Sequence, residues 1–163
     1  MYSTPSDFAR FGPPQYTHTQ SAPLHWILVA TGIGCFVLAW IVRTTPGGAI
    51  GAAISAGSGL LMLLLAASFR HLRVEDRGDR LRIAFGPLTV FQRSLRYAEM
   101  DTVEVGCTTL RDGWGIHMSP RGGWVWNIWG RDCVIVGSGK RILRIGTDQP
   151  KQLALFLQSK LRR

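Results

Sequence analysis

The sequence predicts an α+β protein: a two-helix hairpin that crosses a membrane, then short antiparallel strands in a curved sheet or barrel closed by one C-terminal helix. Three observations carry this. Two long runs lack charged side chains, the hydrophobic pattern turns to alternation after Phe69, and the chain ends in a single amphipathic stretch. The 163 residues carry a formal net charge of +9, with 46% hydrophobic and 18% charged residues. That apolar content excludes a disordered chain, and three cysteines are too few, and odd in number, for a disulfide scaffold.

The first run, residues 24–42, spans roughly 28 Å as a helix, close to the ~30 Å hydrocarbon core of a bilayer. Trp26 and Trp40 stand near its ends, where indole rings favour the headgroup level. The second run, residues 49–69, spans roughly 32 Å. Between them Arg43-Thr44-Thr45-Pro46-Gly47-Gly48 is short and rich in helix breakers, so the helices run antiparallel as neighbours. A cleaved signal peptide fits poorly. Its apolar core is shorter than this run, and only Arg10 supplies positive charge to the 23 residues before it.

In the second run Gly47, Gly51, Ser55 and Gly59 recur every four residues and share one helical face, with Ala49, Ala53 and Gly57 on a neighbouring line. Thr31, Cys35 and Ala39 give the first helix a matching small face. Small residues let helix backbones approach closely in lipid, so these faces are expected to meet, within one chain or between chains.

Apart from Arg10 and Arg43, every Lys and Arg follows Phe69. Arg70, Arg73, Arg77, Arg80 and Arg82 come directly after the second helix. The positive-inside rule places that part in the cytoplasm, and two crossings return the N-terminus to the same side. The expected location is the inner membrane, multi-pass, with both termini cytoplasmic. Residues 1–23, with Pro5, Pro13, Pro14 and Pro23, are expected as a flexible tail. An anionic leaflet attracts each nearby basic group by about 1 kcal/mol, so Arg70, Arg73 and Arg77 are candidate contacts to headgroups.

Residues 70–163 form the expected cytoplasmic domain. Leu72 and Val74 alternate with polar neighbours, Asp76-Arg77-Gly78-Asp79 offers a turn, and Leu81, Ile83 and Phe85 alternate in their turn. Further strands are expected over about 88–93, 102–106, 124–129, 134–136 and 141–145, the last two joined by Gly137-Ser138-Gly139. The closing helix starts near Thr147 or Asp148, accepts Pro150 in its first turn, and carries Leu153, Phe156, Leu157 and Leu161 as its apolar stripe.

Leu81-Arg-Ile-Ala-Phe-Gly-Pro87, Gly113-Trp-Gly-Ile116, Trp126-Asn127 before Gly130, and Ile145-Gly-Thr-Asp-Gln-Pro150 together resemble the bacterial pleckstrin-homology-like (PH-like) domains attached to membrane helices. The resemblance covers about residues 70–161 and implies a seven-stranded, bent antiparallel β-barrel capped by the C-terminal helix. It implies neither a catalytic activity nor a family-wide ligand.

Chemistry-bearing motifs are sparse. Gly137-Ser-Gly-Lys-Arg141 lacks the upstream glycine and the hydroxyl residue of a phosphate loop, so it is read as a strand turn. His117, Asp112 and Asp132 come nearest to a catalytic set, but no serine or cysteine has a nucleophile context. The histidines at 18, 25, 71 and 117 have no metal-ligand spacing, so no cofactor is expected. Nucleic acid is not expected either, despite a pI near 10.5, because a membrane accounts for the positive charge. Trp124, Trp126 and Trp129 are candidate interaction aromatics: one face of that strand is core, and an indole on the other would meet lipid or a partner. The leading expectation is a non-enzymatic membrane protein whose domain binds a partner protein, a copy of itself or anionic lipid. An accessory subunit assembled through the small-residue helix faces is the alternative, and an enzyme site completed on oligomerisation a remote one.

Overall fold

The protein was analysed as a computed structural model that describes residues 15–109 and 112–161. Pro5, Pro13 and Pro14 of the expected tail lie outside the described residues. Leu24–Val42 form helix α1 and Ala49–Ser68 form helix α2. Both are long and apolar enough to cross a membrane. Ile33, Val37 and Ile41 on α1, and Ile54, Leu60 and Leu64 on α2, are exposed, so neither helix is the buried core of a globular domain. At the connecting turn the hydroxyls of Thr44 and Thr45 donate to the carbonyls of Ile41 (2.9 Å) and Val42 (2.7 Å) at the end of the helix, and the Val42 carbonyl also accepts from Thr45 N–H (3.0 Å). Gly47 takes φ +74°, open to glycine at no steric cost.

The strands form two sheets. In the first, β1 (Thr17–Ser21), β2 (His71–Asp76), β3 (Arg80–Gly86) and β4 (Gln92–Arg96) lie in chain order, all antiparallel. Strand β1 is a departure from expectation, since residues 17–21 fall in the segment read as a flexible tail. Thr17-His-Thr-Gln-Ser21 has no apolar alternation to mark a strand. It forms one because β2 offers an open edge, pairing Thr17 with Glu75 and Ser21 with His71. The helical hairpin is thus inserted between two paired strands.

The second sheet contains β5 (Thr102–Cys107), β6 (Gly115–Met118), β7 (Trp124–Asn127), β8 (Asp132–Ser138) and β9 (Arg141–Gly146), in the order β5-β8-β9-β7-β6. β7 and β9 run parallel. Among the described residues the architecture is therefore nine strands in two sheets, not a seven-stranded antiparallel barrel, and no closed barrel forms. After β4 a 3-10 turn, Tyr97–Glu99, carries the chain into the other layer. Between β4 and the β6–β7 pair, Trp124, Trp126, Ile116 and Phe91 line an open seam where the two sheets are not joined by a ladder. The expected strand over 88–93 shifts to Gln92–Arg96, because Phe85 N–H bonds the Phe91 carbonyl (2.9 Å) and residues 87–90 make the turn.

Alternation places Leu72, Val74, Leu81, Ile83 and Phe85 of the first sheet in one core with Val103, Trp126, Val134, Val136, Leu143 and Ile145 of the second. Phe85 meets Trp126 at 5.8 Å across the layers. Helix α3 (Pro150–Leu161) buries Leu153, Ala154 and Leu157 over the β5–β8 side, each leucine contributing roughly 1.5–3 kcal/mol by leaving water. Thr147 Oγ1 accepts from Gln149 N–H (3.1 Å) at its start.

Buried Asp76 ties the distant parts together. Its carboxylate accepts from the Tyr97 hydroxyl (2.7 Å), Gly78 N–H (2.9 Å) and Gln15 N–H (3.2 Å), and faces Lys160 of α3 at 3.4 Å. Burial alone would raise its pKa, but the Tyr97 hydroxyl, the two N–H donors and the Lys160 ammonium outweigh that and hold it below the ordinary 3.8. A carboxylate depressed in the folded state adds stability that is complete above the unfolded pKa and lost as pH falls through the folded one. Asp76→Ala should therefore cost about 1–3 kcal/mol at neutral pH. Thermal unfolding of the detergent-solubilised chain between pH 6 and 3 should show a smaller acid-induced loss in the variant than in the parent.

Candidate functional site

Residues that alternate away from the core make the outer face of the first sheet. Register stacks Thr17, Glu75, Arg82 and Ser94 in one row, and Thr19, Arg73, Ala84 and Gln92 in the next. The last row, Ser21, His71 and Gly86, is the end at which both helices leave the sheet. A cleft of about 350 Å³ runs along this face. At its centre buried Glu75 faces Arg73 Nε at 3.5 Å and Arg77 Nη2 at 3.3 Å. Arg82 donates Nη2 (2.8 Å) and Nε (3.3 Å) to the Gln92 side-chain oxygen. His71 closes the helix-side end and lies on Gly86, where an added Cβ would come within 2.5 Å of its Nε2. Burial, then Arg70 and Arg73, lower the His71 pKa, so the ring is neutral at pH 7.

Of the three arginines expected at the membrane surface, Arg73 and Arg77 meet around Glu75, while Arg70 is exposed in the link between α2 and β2. Sequence reasoning missed Arg82 and His71 as members of this face. Pairing β2 with β3 across the turn would have found Arg82 opposite Glu75, since both lie on polar positions of the alternation.

Close approach of the helices centres on Gly59. An added Cβ there would meet the Gly32 carbonyl and the Phe36 ring at 3.0 Å, and one at Gly32 would meet the Gly59 carbonyl at 3.1 Å. Gly51 faces Val42, Ser55 is half-buried, and Gly47 belongs to the turn before α2. On the α1 side Gly32 makes the crossing; Ala39 is buried, Cys35 half-buried, and Thr31 exposed with its hydroxyl bonded to the Ile27 carbonyl (2.9 Å). Gly57 has nothing within 4 Å of an added Cβ.

The tryptophans separate. Trp126 is buried in the core and packs against Phe85 at 5.8 Å. Trp124 is exposed at the start of β7, beside Met118 and Ile142. Trp129 follows β7 in a loop shaped by buried Asn127, whose Oδ1 accepts from Trp129 N–H (3.1 Å) and whose Nδ2 donates to the Gly130 carbonyl (3.0 Å). Trp129 stacks on Trp114 at 4.6 Å, another member of the same dense group of tryptophans.

His117, Asp112 and Asp132 make no hydrogen bond to one another among the described residues. Asp112 is a loop clasp instead, accepting from Thr109 N–H (2.7 Å) and hydroxyl (2.8 Å), the Ser119 hydroxyl and Arg121 Nη2 (2.7 Å). Burial would raise its pKa, but these donors hold it well below the carboxylate range. Asp132 is exposed. Cys107 is exposed and Cys133 buried, both free. Gly139-Lys140 is a two-residue hairpin turn with Gly139 at φ +57°. Among the described residues, no group of three or more His, Cys, Asp or Glu could hold a metal ion.

Gly59→Leu should separate α1 from α2, read as increased protease sensitivity of the solubilised chain, whereas Gly57→Leu should leave the hairpin intact.

No family model, curated protein or solved structure matches the chain.

Proposed function

We propose that the chain is a non-enzymatic inner-membrane protein. Its hairpin crosses the bilayer with both flanks in the cytoplasm, and its two-sheet domain is a PH-like interaction module held against the membrane surface. The supporting observation is the rung between Ser21 and His71. It draws the entry to α1 and the exit from α2 to one end of one sheet, so both flanks of a hairpin in lipid share one side. In this reading Arg70 and Arg73 meet anionic headgroups beside the helix ends, and the rest of the domain surface is left to a protein partner or a second copy. A second reading, an accessory subunit that docks on other membrane helices, is favoured by Gly57 and Gly34, whose open surroundings would admit a close neighbour.

Topology is testable with the native cysteines. The protein should resist carbonate extraction. Cys107 should react with an impermeant maleimide only after spheroplasts are permeabilised, while Thr45→Cys in the hairpin turn should react on intact ones. Carbonate extraction into the supernatant, or the reverse labelling, would contradict the assignment. For the lipid contact, Arg70→Gln/Arg73→Gln should lower the anionic lipid retained by the purified chain by up to about 30-fold in relative affinity, since two charges of about 1 kcal/mol are removed. Native mass spectrometry after reconstitution in mixed neutral and anionic lipid reads this. Arg77 remains to pair Glu75 in that variant, so the sheet face keeps its internal ion pair.

A further inference from the structure

The end of the domain from which the helices leave also carries its own apolar projections. Phe69, directly after α2, packs edge-on to Phe85 at 4.9 Å and stacks on Phe91 at 5.3 Å. The turn between β3 and β4 is thereby held beside the helix end. Its tip points Leu88 and Val90 outward, 43% and 71% exposed. On the other flank Gln20, four residues before α1, donates its Nε2 to the Trp129 carbonyl at 3.1 Å. The stacked Trp129 and Trp114 rings are 37% and 48% exposed. Both sit just outside the Gly115–Asn127 pair that ends the β6–β7 ladder. Two separate loops, anchored by separate contacts to the two ends of the hairpin, thus bring four large apolar side chains to one rim.

We infer that this rim is seated in the interfacial layer of the same bilayer that α1 and α2 enter, so that the domain rides partly embedded in it. The inference rests on the membrane span proposed above. Continuity with the helices identifies the occupant: α1 and α2 fix the rim at the depth where hydrocarbon gives way to headgroups. Indoles, with an apolar body and one N–H, are suited to that boundary, and aliphatic tips lose water there. Exposed Arg70, adjoining the rim, stays at headgroup level while Leu88 and Val90 reach below it.

Nitroxide labels on the full chain in liposomes test this, placed singly at Val37→Cys, Val90→Cys and Leu155→Cys with the native cysteines replaced. Accessibility to oxygen and to a water-soluble nickel complex is compared. The expected result is loss of nickel access at position 90 relative to 155, with 90 shallower than 37. Position 90 as open to nickel as 155, with 37 in lipid, overturns the rim and leaves the span standing. Position 90 shielded from both reagents overturns it in favour of a protein cover. Nickel access at 37 overturns span and rim together. As an independent measure on an otherwise native chain, shallow brominated lipid should quench its tryptophan fluorescence less in Trp114→Phe/Trp129→Phe, and unchanged quenching counts against the rim.

Discussion

The pairing of β1 with β2 governs where everything else lies. Ser21 stands opposite His71, and α1 and α2 occupy the chain between them. A flexible linker at either end would let the sheets swing away from the helices. Five paired positions from Thr17 to Ser21 remove that freedom, because the residues before α1 and those after α2 belong to one rigid ladder. Phe69 adds a third point by inserting between Phe85 and Phe91. The outer face of the first sheet, with Glu75 among Arg73, Arg77 and Arg82, therefore has a fixed aspect relative to the hairpin.

Sequence patterns revealed those parts of the fold whose physics is local. Uncharged runs marked α1 and α2, alternation with an intervening turn marked the β2–β3 and β8–β9 hairpins, and the stripe of Leu153, Phe156, Leu157 and Leu161 marked α3. What escaped depends on partners far away in the chain. β1 has no hydrophobic period and is a strand only because β2 presents an edge. Gly115-Ile-His-Met118 offers too little alternation to announce β6, and its ladder comes from β7. The division into two sheets follows from side chains such as Trp126 that fill the space between layers.

The candidate site was legible to the same degree. Arg70, Arg73 and Arg77 stood out by following an apolar run. Arg82 and His71 join them only through register, and Gly32 becomes the partner of Gly59 only when the crossing point of the two helices is known. Two buried carboxylates illustrate the limit further. Asp76 and Asp112 look alike in sequence, yet one joins the β2–β3 turn to α3 across 84 positions while the other fastens a single loop. Both are buried, and each is held by donors of its own neighbourhood.

An interrupted ladder also imposes an order on biosynthesis. β1 leaves the ribosome well before β2, and at ~5–20 residues per second the 50 or so residues between them take roughly 3–10 s to make. Throughout that interval the short N-terminal strand has no edge to join. Its ladder can zip only when both helices have been translated and folded back on each other, so closure of the first sheet reports that the helical hairpin has formed.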